Sequence, residues 1–136
     1  GYKKITAGLT LDGTEGGIIH IADSDACAIV LPEITAALNG LEYKFIMAND
    51  AGGDITITAT DQAGDYYQGT LSNSQVDSDD GFAANGSSNN IITMNATTTG
   101  GLLGSEINLR AVYGVGWIVW GNLFGTNGSA ATPFSG

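Results

Sequence analysis

Positive charge is nearly missing from this sequence. Lys3, Lys4, Lys44 and Arg110 are the only formal cations among 136 residues, against 14 Asp and Glu, for a net charge of −10. Between Phe45 and Leu109 there is no Lys or Arg, while eight carboxylates fall in that stretch. Nucleic-acid binding needs clustered cations that displace counterions from phosphates. DNA, RNA and anionic membranes are therefore not expected partners. Cys27 is the only cysteine, which excludes an intramolecular disulfide. Its run, Ala26-Cys27-Ala28-Ile29-Val30-Leu31, is apolar, where a free thiol behaves as a small hydrophobe. No stretch reaches the roughly 18 apolar residues of a spanning helix. No secretory apolar region opens the chain. Gly1 to Lys4 reads as a start exposed by removal of Met, which fits a product assembled inside the producing cell.

What is present is a β-forming composition. Hydrophobic residues make up 43% of the chain and charged residues only 13%, about half the usual charged share. Glycine is abundant, at 21 residues, and the remaining polarity comes from Thr, Ser and Asn. Such neutral-polar surfaces suit β-rich extracellular or virion proteins. The length makes one domain, and a domain of roughly 150 residues buries about 70% of the surface its unfolded chain exposes. The acidic balance keeps a surface soluble; its sharper reading is an acidic face that meets a basic partner.

Period-two alternation, the signature of half-buried strands, recurs along the chain. In Ser105 to Val112, Ile107, Leu109 and Ala111 point one way and Glu106, Asn108 and Arg110 the other. Asp54 to Ala59 alternates with Thr outward, and Glu42 and Lys44 alternate with Tyr43, Phe45 and Met47. Thr6 to Leu11, Gly17 to Ala22, Ala28 to Leu31, Tyr66 to Leu71, Ile91 to Ala96 and Trp117 to Leu123 complete eight or nine short strands. Glycine or proline stops most of them. Pro32 to Leu38 is the one candidate helical turn, stopped by Asn39-Gly40. The expected fold is all-β, an antiparallel β-sandwich of jelly-roll type. Residues 1–122 form the sandwich, with a long polar loop over residues 72–90, and residues 123–136 form a C-terminal tail. Phe82 is the residue expected to pin that loop.

Few residues carry reactive chemistry. His20, the sole histidine, lies between Ile19 and Ile21, on the polar face of a strand. Asp77-Ser78-Asp79-Asp80-Gly81 resembles a calcium loop, but Gly81 is fifth and Ser88 twelfth, where an EF-hand needs Gly sixth and Glu twelfth. It reads as a solvated acidic loop. Asp23 and Asp25 are a carboxylate pair of the kind glycosidases use, and also of the kind found in turns. Trp117 and Trp120, three apart, face opposite sides of a strand, one inward and one exposed. With Tyr66, Tyr67 and Tyr113 they are candidates for a sugar-binding platform, although aromatics more often fill cores. Asn85, Asn95 and Asn127 begin glycosylation sequons, as expected by chance in so Asn-rich a chain.

The order of the blocks resembles small structural proteins of tailed bacteriophages, especially capsid decoration (cement) and head-fibre proteins. The resemblance rests on Thr6-Ala7-Gly8-Leu9-Thr10-Leu11, Leu31-Pro32 and Gly40-Leu41-Glu42-Tyr43-Lys44-Phe45. It continues through Ile55 to Ile57, Asp65 to Gly69 and Gly104-Ser105-Glu106-Ile107-Asn108-Leu109, and ends at Gly114 to Gly121. It implies a virion component without enzymatic activity or cofactor, a homotrimer on the outer surface of the major capsid protein shell. On that reading the expected contacts are Gly1, Tyr2, Lys3 and Lys4, which carry half the positive charge, with Phe124 and Phe134 of the tail. The alternative is a tail-fibre or carbohydrate-binding β-sandwich module. A hydrolase using His20 is the third and weakest reading.

Overall fold

Alternation of apolar and polar residues becomes two packed sheets in the computed structural model, which describes residues 2–22, 26–60, 65–76, 78–126 and 128–136. The strands are β1 (Tyr2–Ile5), β2 (Leu9–Thr10), β3 (Gly17–Ile21), β4 (Cys27–Val30), β5 (Glu42–Met47) and β6 (Ile55–Thr58). They continue with β7 (Tyr67–Gln75), β8 (Ser78–Ala83), β9 (Ile91–Met94), β10 (Glu106–Val112), β11 (Gly116–Phe124) and β12 (Phe134–Ser135). A 3-10 turn, Ala36–Leu38, falls inside the expected helical segment. One sheet has seven strands, in the order β1-β3-β5-β10-β11-β7-β8; the other has five, β12-β9-β6-β4-β2. The all-β sandwich expected from composition is the fold.

Pairing is mixed, however, and not antiparallel throughout. Along β1 to β6 the chain alternates between the sheets, so β1, β3 and β5 lie parallel in one and β2, β4 and β6 parallel in the other. A parallel pair needs a crossover, and here the crossover is a strand of the opposite sheet. The later strands return antiparallel, β10 between β5 and β11 and β9 between β6 and β12. β11 then runs parallel to β7. This is not the double Greek key of a jelly roll, whose neighbouring strands are antiparallel. Alternation reports which side chains face the core, and it is the same for both pairing directions.

The core lies between the sheets. Ile19, Ile21, Tyr43, Phe45, Ile107, Leu109, Ala111, Trp117, Tyr67 and Leu71 enter it from the larger sheet, and Ile29, Ile55, Ile57, Ile92 and Met94 from the smaller. Cys27 is among them, buried, with its thiol donating to the Ala7 carbonyl at 3.4 Å. The Tyr67 hydroxyl donates to the Ile57 carbonyl at 2.7 Å, a direct tie from one sheet to the other.

Two expected irregular segments are partly strand. Within residues 72–90, β7 continues to Gln75 and turns into β8, with Leu71 opposite Phe82 and Ser74 opposite Asp79. Its polar sequence misled because the inward positions include amides that satisfy one another. Buried Asn73 donates to the carbonyls of Thr98 at 2.8 Å and Ala131 at 2.9 Å, and its oxygen accepts from Gln75 Nε2 at 2.8 Å. The same amide anchors the C-terminal segment. Leu123 and Phe124 belong to β11, and Phe134 opens β12, which pairs with β9. Residues 123–124 and 134–135 are thus strands of the sandwich, where a separate tail was expected.

Candidate functional site

Period two on β5, β10 and β11 sends Glu42, Lys44, Asn108, Arg110, Ile118 and Trp120 to the outer face of the seven-stranded sheet. The register then brings them together: Glu42 lies opposite Arg110, and Asn108 lies opposite both Lys44 and Trp120. All of these but Ile118, together with Gly17, Tyr43 and Leu109, line an open groove of about 420 Å³. Arg110 forks onto Glu42 Oε2, Nε at 3.0 Å and Nη2 at 2.9 Å. Its guanidinium carbon sits 5.1 Å from the centre of the Trp120 ring. Lys44 Nζ meets Glu106 Oε1 at 2.8 Å.

These ion pairs are close to half exposed, so each contributes only about 0–1 kcal/mol to stability. Their effect is on order and charge. Glu42, Arg110 and Trp120 form a held stack, and two cations neutralise two carboxylates within a strongly acidic molecule. On the same outer face Ile18, Trp120 and Phe124 are 38%, 40% and 36% exposed. Single exposed apolar side chains are ordinary. These three occupy outward positions of one sheet.

The expected contact residues are not gathered at one place. Gly1 lies outside the described residues, and Tyr2 begins β1. Lys3 and Lys4 are exposed on β1, the free edge of the larger sheet. Among the described residues no ion pair involves either of them. Phe124 closes β11 on the outer face, several strands away from that edge. Phe134 is 5% exposed, packed against the Tyr67 ring at 6.1 Å. It offers little surface to a partner. An aromatic in a Gly- and Ser-rich stretch looked free because the partner that buries it, Tyr67, lies far away in sequence.

The aromatic platform is divided by the same alternation. Trp117 and Tyr67 are fully buried, Trp120 and Tyr113 are exposed, and Tyr66 is half-buried. His20 stands half-buried on β3 between Lys4 and Ile46 of the flanking strands. Asp79 and Asp80 are exposed on β8, the opposite free edge. Asp23, Asp25, Asp77 and Asn127 lie outside the described residues. Among the described residues no three His, Cys, Asp or Glu side chains come together as a metal site. Asn85 and Asn95 each turn their side-chain oxygen onto following backbone N–H groups, closing local turns.

Sequence reasoning had Glu42, Lys44, Asn108 and Arg110 facing outward but did not join them into one groove. The available signal was two strands of alternating opposite charges, Glu42 with Lys44 and Glu106 with Arg110. No family model matches the chain, and no curated protein or solved structure shows significant similarity to it.

Proposed function

We propose that this protein is a virion structural component, a capsid decoration protein that binds the outer surface of the major capsid shell as a homotrimer and stabilises it. The observation that carries the reading is the open face of the larger sheet, where Ile18, Trp120 and Phe124 stand exposed on the same side as the neutral Glu42–Arg110 pair. Interface cores are enriched in aromatics and Arg, and Trp and Arg often dominate the binding energy once desolvated. Trp120 and Arg110 are stacked before any partner arrives, which reduces the cost of ordering them on contact. The resemblance of blocks from Thr6 to Gly121 adds the class of particle.

The mechanism is bridging. A trimer placed where capsomers meet touches several shell subunits at once, so its contacts act as one multivalent attachment. A protein that binds the assembled shell but not its separated subunits stabilises the shell by mass action. Phe124 remains a contact in this reading and Trp120 joins it.

The test uses particles of the encoding virus from which this protein has been stripped. Wild-type protein is expected to bind saturably and to give ordered density at threefold or quasi-threefold positions. The Trp120→Ala/Phe124→Ala variant should bind more than about tenfold more weakly. Wild-type protein that leaves the outer shell bare overturns the proposal.

A second reading has its own support, the groove itself. Its volume lies within the range of small-ligand sites, and an aromatic ring beside Asn108, Glu42 and Arg110 suits a saccharide. Saturable glycan binding that quenches tryptophan fluorescence and disappears in Trp120→Ala, without shell binding, would favour it.

A further inference from the structure

We infer that copies of this chain join head to tail through the two free edges of the larger sheet, β1 of one copy against β8 of the next. The inference deepens the homotrimer part of the decoration reading and assigns that assembly its surfaces.

Strand direction comes first. β1, β3 and β5 are parallel, β10 opposes β5, β11 opposes β10, β7 follows β11, and β8 opposes β7. β8 therefore runs antiparallel to β1. When copies are related by rotation about an axis along the strands, β8 of one arrives beside β1 of the other as an antiparallel neighbour. Such a heterologous contact builds a ring when the rotation closes.

Charge and side-chain direction then select the register. On β1, Lys3 lies opposite Ile19 and shares the core-facing side, while Lys4 lies opposite His20 on the outer side. On β8, Asp80 lies opposite buried Asn73 on the core-facing side, and Asp79 lies opposite Ser74 on the outer side. Setting Lys3 opposite Asp80 in an antiparallel ladder places Lys4 opposite Asp79 at the same time. Both pairs then meet on matching faces. Tyr2 falls opposite Gly81 and Ile5 opposite Ser78.

Self-pairing of like edges is opposed by the same residues, since β1 against β1 sets Lys near Lys and β8 against β8 sets Asp near Asp. Exposed edges are commonly guarded by such charges. Opposite charges directly across an antiparallel pair are favourable and like charges unfavourable. The net charge of −10 repels two copies at long range. That repulsion is screened over about 8 Å at physiological ionic strength, so the local pairs decide there.

The experiment is sedimentation equilibrium at physiological ionic strength on three charge variants, each checked for native circular dichroism. Wild-type protein is expected to self-associate. Lys3→Asp/Lys4→Asp and Asp79→Lys/Asp80→Lys should each weaken association by more than about tenfold. The variant carrying all four reversals should recover it. As a second measure, Lys3→Cys/Asp80→Cys should form intermolecular disulfides on oxidation. A monomeric wild type, double variants that associate normally, or a fourfold variant that fails to recover overturns the inference. Shell binding is scored separately. Oligomers that ignore the shell leave edge pairing standing and remove the decoration reading; monomers that bind the shell do the reverse.

Discussion

The Oδ2 of Asp65 accepts the backbone N–H of Ile34 at 3.1 Å, inside the protein, where Asp65 is 4% exposed. Burial pushes this carboxyl above its ordinary range. The Ile34 N–H pulls it partly back, and Glu33 pushes it up again. The folded form thus holds its proton to a higher pH than the unfolded chain, whose Asp titrates near about 3.9. Between those two values the native state binds more protons, so stability falls as pH rises through the window. It is undiminished below the unfolded value. Asp65→Asn keeps an acceptor for Ile34 and carries no charge. The expected result is a melting temperature at neutral pH equal to or above wild type, with a flatter profile on the acid side. Thermal melts across a pH series check this; a lower melting temperature with an unchanged profile would contradict it.

Trp117 is the largest fully buried side chain, and its Nε1–H finds no hydrogen-bond acceptor among the described residues. Its ring packs at 5.9 Å from Tyr43. Trp117→Ala should cost about 3–5 kcal/mol through the cavity left behind. Trp117→Phe should cost clearly less, because it refills much of the space and removes a stranded donor whose burial costs about 1–3 kcal/mol. Urea unfolding measures both. Equal losses would mean that the donor carries no penalty.

Gly69 and Gly121 hold φ of +124° and +148°, and a Cβ on either would run into a neighbouring strand's carbonyl oxygen, that of Val119 or Glu106. Gly81, on β8, has nothing within 4 Å of that position. Alanine at 69 or 121 is expected to destabilise by about 2 kcal/mol or more, from strain and from displaced backbone. Alanine at 81 should stay within about 0.5 kcal/mol of wild type. Chemical denaturation of the three variants separates the cases, and a tolerated Gly69→Ala would refute the close approach of β7 and β11.

Residue 69 also marks where reading the chain succeeded and where it stopped. The strand expected from Tyr66 was to end at Leu71. Instead β7 continues through it to Gln75, because Gly69 lets the backbone lie against Val119. The polar run that follows reads as loop in isolation. It is strand because Leu71, Asn73 and Gln75 face inward and the amides bond one another and distant carbonyls. The carbonyls of Thr98 and Ala131 lie 25 and 58 residues from Asn73, so no local pattern announces them. Phe134 failed the same way, exposed by its local composition and buried by Tyr67.

Which side chains enter the core was legible in the sequence alone. Ile107, Leu109 and Ala111 went inward, Trp117 was separated from Trp120, and Cys27 was placed among apolar neighbours, all as found. The all-β class followed from the same alternation and from the glycine-rich turns. Successive Cβ atoms point to opposite faces of any strand, so this information resides in each short stretch of chain. Only the tertiary structure decided which strands are neighbours, that β1, β3 and β5 run parallel, and that Glu42, Arg110 and Trp120 share one groove. Pairing partner and direction depend on where each connection crosses between sheets and on competition among all strands for the same edges. Period-two alternation is identical for either direction, and so it is silent on both.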